Sequence, residues 1–170
     1  GNIILYPTDT VWGLGCDASN EDAVTKIYKL KNRVESKSLI VLVDSISMLK
    51  KHVSITHNIL DFLKETSKPT TVIYSNPKGF AKNTIAQDNT IAIRIVENDF
   101  CKEVIKQLGK PIVSTSANVS GEPTPKSYAE ISKPILEGVD YIVNLQKDKI
   151  SDKSSTIVKI NGDKIEILRA

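Results

Sequence analysis

The sequence lacks the signature motifs of several large enzyme classes. It contains no GxxxxGK[ST] phosphate loop and no GxSxG nucleophile elbow, and the segment Gly13-Leu14-Gly15 lacks the third glycine of a dinucleotide-binding fingerprint. The two histidines, His52 and His57, lie in a lysine-rich region with no acidic cluster or cysteine nearby in sequence. These absences argue against a catalytic triad and against a dedicated metal site, so we expect no metal ligands among the side chains.

Long apolar runs and paired cysteines are also missing. The longest aliphatic run, Leu39 to Val43, is far shorter than the ~20 residues needed to cross a bilayer, and the N-terminus has no signal-peptide pattern. Cys16 and Cys101 stand alone in the sequence, which is typical of free thiols in a reducing compartment. We therefore expect a soluble, cytoplasmic protein without membrane contact. Because the sequence does not begin with Met, we also expect it to be trimmed at its N-terminus.

Arginine and aromatic residues are scarce. Lys and Arg number 23 against 20 Asp and Glu, giving a net charge of +3, and only Arg33, Arg94 and Arg169 are arginines. The aromatics are one Trp, five Tyr and three Phe. So few aromatic residues argue against recognition of nucleic acid by base stacking. The small net charge still allows a local basic cleft. With no repeat or linker in 170 residues, we expect a single domain over residues 1–170.

Apolar periodicity and capping residues predict a mixed α/β protein. Ser19 or Asn20 caps the first helix, Asn98 caps a later one, and Ser127 with Glu130 forms a capping box. Helices and strands alternate early in the chain, whereas strands pair locally near its end, so we expect a mixed sheet. Strands are predicted over residues 2–6, 39–43, 71–74, 90–96, 112–113, 141–145, 155–160 and 164–168, and helices over 20–33, 45–52, 57–65, 98–108 and about 127–138.

Small hydroxyl and amide residues cluster where two strands end. Thr8-Asp9-Thr10 follows the first strand, and such a turn offers hydroxyls and backbone N–H groups to a carboxylate or phosphate oxygen. Ser114 to Asn118 follows a short apolar strand and is too polar for buried sheet, so we expect it to turn towards solvent or a ligand. A plain turn, with Asp9 bonding its own backbone, is the alternative at the first position, and a serine-rich turn at the second.

Three further segments could contact anions. Lys31-Asn32-Arg33 combines a compact charge with a planar fork, which suits phosphate and carboxylate, but cations at a helix end also simply complement the helix dipole. Arg94 alternates with the isoleucines beside it, so it faces either a cleft or solvent. The hydroxyls of Ser154-Ser155-Thr156 suit phosphate oxygens or a sheet edge equally well.

Taken together and in this order, these segments resemble the YrdC-like family, whose best-known members are threonylcarbamoyl-AMP synthases. The similarity runs from Gly1 to Arg169. The family's opening motif falls on residues 6–18, its lysine-x-arginine pair on Lys31 and Arg33, and its serine-x-asparagine pair on Ser116 and Asn118. The remaining matches are a flanked arginine at Arg94, a serine-threonine pair at Ser155-Thr156 and the terminal Ile167-Leu168-Arg169.

The resemblance implies a twisted mixed parallel and antiparallel sheet, flanked by helices and enclosing a basic cavity. It also implies ATP-dependent synthesis of threonylcarbamoyl-AMP from L-threonine and bicarbonate or CO₂, with release of pyrophosphate and with Mg²⁺ carried on the ATP. Downstream transferase enzymes would then pass the threonylcarbamoyl group to tRNA. Such chemistry needs no enzyme nucleophile, because the protein only brings anionic reactants together and offsets their repulsion.

The resemblance further implies roles for individual residues. Lys31 and Arg33 would be catalytic and neutralise phosphate and carboxylate charge, and we expect both side chains to be exposed. Thr8, Thr10 and Arg33 would bind threonine. The nucleotide would contact Lys31, Arg94, Ser116, Asn118, Ser155 and Thr156.

The sequence departs from the family pattern at two places. Ser67 to Thr71 stands where many members have a Trp-Pro-Gly-Pro stretch, and Ser38 stands where proline is common. We expect a single domain without a second one after it, which would make the chain similar to the short form of the family. Two other functions stay open: a YrdC-like module that binds double-stranded RNA or tRNA, weakly and without making the adenylate, and a relative that uses carbamoyl-adenylate.

Overall fold

The computed structural model describes residues 1–35 and 39–170, so Ser38 lies outside the described residues. Nine strands and five α-helices form this part of the chain. The strands are β1 (Ile4–Tyr6), β2 (Gly13–Gly15), β3 (Ile40–Val43), β4 (Thr70–Ser75), β5 (Thr90–Ile95), β6 (Ile112–Ser116), β7 (Tyr141–Ile142), β8 (Thr156–Asn161) and β9 (Lys164–Arg169). The helices are α1 (Glu21–Lys31), α2 (Ile46–His52), α3 (His57–Glu65), α4 (Asp99–Leu108) and α5 (Lys133–Gly138), with short 3₁₀ turns at Lys82–Thr84 and Tyr128–Glu130.

All nine described strands join one sheet in the order β7-β1-β2-β6-β3-β5-β4-β8-β9. The pairs β1–β7, β3–β5 and β4–β8 are parallel, and the other five pairs are antiparallel. The predicted mixed sheet is therefore confirmed. No helix in the described part of the chain has the length and apolar character needed to span a membrane.

The helix ends follow the capping chemistry read from the sequence. The Asn20 side chain accepts a hydrogen bond from the N–H of Ala23 at 3.0 Å, and Asn98 accepts one from Cys101 at 3.1 Å. The caps satisfy N–H groups that the first helical turn leaves without partners. Helix α4 ends at Leu108 and is capped by Gly109, whose φ of 69° lies in the left-handed region. Of the two candidates for the first helix the cap is Asn20, and the predicted cap at Asn98 is confirmed.

The core lies between the sheet and its helices. Strands β1, β3 and β5 contribute Leu5, Val41 and Ile93, each at most 1% exposed. Helices α1 and α5 pack against each other, and Ile27 and Ile135 on these helices are fully buried. Burial of these side chains is the main source of stability for the scaffold that holds the site.

Two predictions about local structure are wrong. The Ser127–Glu130 capping box does not start an α-helix, because the Glu130 carboxylate accepts from the N–H of Lys126 at 2.7 Å and only a 3₁₀ turn follows Ser127. Residues Ser114–Ser116 do not leave the sheet after Val113, because β2 pairs with Thr115 and Ser116 and so extends β6. Strand β2 itself is too short and glycine-rich to be predicted from local propensity.

Candidate anion-binding cavity

A cavity of about 190 Å³ lies beside the middle of the sheet, bordered by the β1–β2 turn and by residues from β5, β6 and the two ends of the β8–β9 hairpin. Seven of its side chains carry hydroxyl groups and three carry guanidinium groups. Among the described residues that line it, none is acidic, and none is histidine or cysteine. The lining consists of Thr10, Val11, Trp12, Gly13, Arg33, Leu39, Ile40, Arg94, Ser114, Thr115, Ser116, Thr124, Ser154, Ser155 and Arg169.

The β1–β2 turn brings Thr10 to the cavity and leaves Thr8 behind it. The Thr8 hydroxyl donates to the carbonyl of Val11 at 2.8 Å and accepts from the N–H of Thr10 at 3.0 Å. The two threonine hydroxyl oxygens lie 3.0 Å apart. Thr8 instead borders a small side pocket, where the Lys149 ammonium donates to its carbonyl at 3.1 Å. Thr8 therefore organises the turn that presents Thr10.

Arg94 faces the cavity and is held there by an ion pair. Its Nη2 lies 2.9 Å from Oδ1 of Asp9, and the two side chains are 4% and 10% exposed. Oδ2 of Asp9 accepts from the N–H of Glu97 at 3.2 Å, so the carboxylate ties the β1–β2 turn to the end of β5. The alternative in which Asp9 bonds only its own turn is thus wrong. Alternation along the strand did not predict whether Arg94 faces a cleft or solvent. The ion pair with Asp9 holds its side chain at the cavity.

Arg169 joins the cavity from the end of β9. Its Nε and Nη2 donate to the carbonyl of Ser155 at 3.1 and 2.8 Å, and the Ser155 hydroxyl lies 2.7 Å from that of Thr71. Burial and the nearby charge of Arg94 lower the pKa of Arg169 from its usual value. Sequence reasoning matched Arg169 to a family motif but gave it no role. Thr156, which was given one, pairs with Thr70 in the sheet and is not among the lining residues.

The side chains of Lys31 and Arg33 point to different places, although the two residues are only two positions apart in sequence. Arg33 is partly buried and lines the cavity. The Lys31 side chain turns inward, and Nζ donates to the carbonyls of Ser116 at 2.5 Å and Asn118 at 2.7 Å. Lys31 is only 1% exposed and is not among the cavity-lining residues. The expectation that its charge is exposed is therefore wrong.

The side chains of Ser116 and Asn118 also have different surroundings. Ser116 lines the cavity at the end of β6. The Asn118 amide instead donates to the carbonyls of Val119 at 3.1 Å and Glu122 at 2.8 Å, so it closes the turn that follows β6. Of the nine residues named as site candidates from sequence, Thr10, Arg33, Arg94, Ser116 and Ser155 line the cavity, whereas Thr8, Lys31, Asn118 and Thr156 support it.

The burial of Lys31 predicts an unusual dependence of stability on pH. Burial, together with the charge of Arg33, lowers its pKa from 10.5 to about 8. Between these values the unfolded chain holds a proton that the folded protein has lost, so the free energy of unfolding rises with pH. We expect the wild type to gain about 2 kcal/mol relative to Lys31→Met between pH 8 and pH 10. Urea denaturation of both proteins measures this gain, and a difference that stays constant with pH contradicts it.

Comparisons with known proteins show which family this chain belongs to. The family model for the Sua5, YciO and YrdC proteins, described as "Telomere recombination", matches residues 1–170. The chain belongs to this family. The "Threonylcarbamoyl-AMP synthase" of Pseudoalteromonas translucida is 37% identical over 150 residues, which cover 85% of this chain and 79% of that protein. The protein of the same name from Idiomarina loihiensis is 34% identical over 164 residues, covering 94% and 88%.

A solved structure supports the same fold. P. abyssi Sua5 complexed with L-threonine superposes with a TM-score of 0.88 at 24% identity, and the match covers 99% of this chain. The chain spans 50% of the length of that Sua5 structure. The Sua5/YciO/YrdC fold is therefore shared over the whole chain, with the mixed sheet and flanking helices that the resemblance implied. That the cavity is basic as a whole stays a prediction.

The segment that replaces the family's Trp-Pro-Gly-Pro stretch lies close to the cavity. Thr70 and Thr71 begin β4, and the Thr71 hydroxyl contacts Ser155, which lines the cavity. Ser67 and Pro69 border a separate surface groove next to α3. In this member of the family, the segment thus reaches the cavity through a hydroxyl pair.

Proposed function

We propose that this protein synthesises threonylcarbamoyl-AMP from L-threonine, bicarbonate or CO₂ and ATP, with release of pyrophosphate. The observation that carries the proposal is the lining of the cavity, where three arginines and seven hydroxyl groups surround a space, and no described lining residue is a cysteine, a histidine or an acidic residue. The family relatives named for this reaction support it. As a nucleotidyltransferase it would act by binding and orientation.

The reaction fits a site of this kind because the substrates supply every reacting atom. The threonine amine attacks the carbon of CO₂ and loses a proton, which leaves an N-carboxylate. An oxygen of that carboxylate then attacks the α-phosphorus of ATP as the bond to pyrophosphate breaks. The second step brings two anions together, the N-carboxylate and the triphosphate, so fixed cations and dipoles lower its barrier by offsetting their repulsion.

The lining residues divide naturally between the substrates. Arg33 would hold the threonine carboxylate, with Thr10 contacting its amine or hydroxyl and Thr8 orienting Thr10. Arg94 and Ser155 would hold the phosphates, since guanidinium groups bind such oxygens in a planar, bidentate manner. Ser116 would contact the adenylate end.

Mg²⁺ would enter as part of the MgATP substrate. In the described ranges, 1–35 and 39–170, no group of three or more His, Cys, Asp or Glu is placed to hold a metal ion. The cavity instead offers guanidinium and hydroxyl groups, which fit the phosphates that carry the ion. In this proposal the protein binds the metal through the nucleotide.

The product requires a second enzyme. A mixed carbamic-phosphoric anhydride is reactive towards water, so a transferase that passes the threonylcarbamoyl group to an adenosine of tRNA must follow. We place both steps in the cytoplasm. Cys16 and Cys101 are buried free thiols, which is consistent with a reducing compartment.

The direct test measures threonine-dependent release of pyrophosphate from ATP in the presence of bicarbonate, with the adenylate identified by mass spectrometry. Product formation that requires all three substrates supports the proposal. Pyrophosphate release that does not depend on threonine, or tight binding of double-stranded RNA without any adenylate, contradicts it. Carbamoyl phosphate in place of bicarbonate and threonine tests the carbamoyl-adenylate alternative.

Arg33→Ala is expected to lower kcat/KM by about 10²- to 10³-fold, because one charged donor to the reacting anions is lost. Its melting temperature is expected to fall by no more than about 4 °C, since a partly exposed charge contributes little to stability. Arg33→Lys should restore only part of the activity, because an ammonium cannot form the bidentate contact. Lys50→Ala, an exposed change on α2, is the matched control and should leave kcat/KM unchanged. Full activity of Arg33→Lys would mean that charge alone matters.

A further inference from the structure

We infer that Lys31 is a positioning residue that braces the turn after β6 and does not itself contact the substrates. The kinetic consequence of this role rests on the proposed function, whereas the brace itself is a property of the ligand-free protein. Lys31 thus has a different role from Arg33, the other member of the lysine-x-arginine pair.

The brace runs in both directions between α1 and the turn. The Lys31 ammonium donates to the carbonyls of Ser116 and Asn118 at 2.5 and 2.7 Å. The Lys31 carbonyl in turn accepts from the N–H of Ser120 at 2.7 Å. One residue at the end of α1 thus holds three positions of the turn at residues 116–120.

The turn after β6 is also held by hydrogen bonds within its own segment. The Asn118 amide donates to the carbonyls of Val119 and Glu122, which folds the turn back over its own backbone. Ser116, at the start of the turn, and Thr124, two residues after Glu122, both line the cavity. The brace therefore sets the positions of two hydroxyl groups that the cavity offers to a ligand.

Direct contact between Lys31 and a phosphate would require the brace to break. The side chain is 1% exposed and lies outside the cavity lining, so Nζ would have to leave both carbonyls to reach a ligand. The carbonyl groups of Ser116, part-buried, and of Asn118, buried, would then lose a charged donor, which is unfavourable. Arg33 already supplies a cation to the cavity from the same end of α1.

Hydrogen exchange on the ligand-free protein tests the brace. In Lys31→Met, which keeps the apolar stem but removes the donor, we expect the amide of Ser120 to exchange at least about tenfold faster, because the turn opens more often. Arg33→Met is the matched control, since it removes an equal charge two residues away. Its Ser120 amide should exchange as in the wild type.

Binding and kinetics separate positioning from direct contact. We expect Lys31→Met to lower kcat by about 10²-fold with KM for ATP changed less than about threefold, whereas Arg33→Met raises KM for a substrate. Unchanged exchange at Ser120 together with a loss of ATP affinity in Lys31→Met would overturn the inference. If the wild type makes no adenylate, the proposed function fails, and the exchange comparison still decides whether the brace exists.

A measurement on the wild type covers the case in which Lys31→Met does not fold. A buried ammonium that donates to two carbonyls should give a slowly exchanging ¹⁵Nζ–H signal in NMR spectra. We expect this signal to persist, with little change in shift, when MgATP and threonine are added. A large shift or a coupling to ³¹P would mean direct contact with the phosphates and would overturn the inference.

Discussion

Replacement of Arg94 by alanine is expected to lower the free energy of unfolding by about 3–5 kcal/mol and to abolish synthesis of the adenylate. The stability effect arises because Asp9, whose side chain is only 10% exposed, would keep a buried charge without its partner. The loss of activity follows from the removal of one of three guanidinium groups that line the cavity. Urea denaturation measures the first effect, and pyrophosphate release measures the second.

A double-mutant cycle with Asp9→Ala isolates the ion pair. We expect the Arg94→Ala/Asp9→Ala protein to be more stable than the sum of the single changes predicts, by at least about 1.5 kcal/mol. The surface pair of Lys102 and Glu97, 3.0 Å apart with side chains 38% and 72% exposed, is the control, and its coupling should stay below about 1 kcal/mol. Equal coupling in the two pairs would show that burial adds nothing.

Much of the fold is accessible from sequence because its signals are local. The caps at Asn20 and Asn98 are short-range contacts between a side chain and a nearby N–H, so residue type and spacing are enough to predict them. Strand β2 and the extension of β6 to Ser116 are different. They pair with each other across about 100 positions of sequence, and nothing in the glycines or serines themselves favours a strand.

The candidate site divides in the same way. The segments that form the cavity are visible as polar residues at strand ends and at the end of α1, and Thr10, Ser116 and Arg33 follow from them. The direction of a long side chain is not visible, because Lys31 and Arg33 are only two residues apart in sequence, yet one is buried and the other lines the cavity. The Asp9–Arg94 pair joins residues 85 positions apart, so no local pattern predicts it.

Gly15→Ala is expected to destabilise the protein by about 3 kcal/mol. A Cβ at this position would lie 2.5 Å from Cε1 of Tyr6 and 2.6 Å from the carbonyl oxygen of Val113. Both distances are too short for a methyl group, and the second involves backbone that cannot rotate away. Tyr6 is fully buried and donates to that same carbonyl at 3.0 Å, so relief of the contact also disturbs a buried hydrogen bond.

Gly13→Ala is the matched control, because it makes the same change two residues earlier in β2. Its Cβ would lie 3.2 Å from the Ser114 hydroxyl and 3.4 Å from a methyl group of Thr8, both on side chains that can shift. We expect a loss below about 1 kcal/mol, or roughly 2–4 °C in melting temperature, against about 6–12 °C for Gly15→Ala. Equal losses at the two positions would mean that any side chain weakens β2. A larger loss at Gly15 would mean that the close approach of β1 and β6 across this strand requires glycine, and that this contact holds together the two strands that carry the Thr10 turn and Ser116.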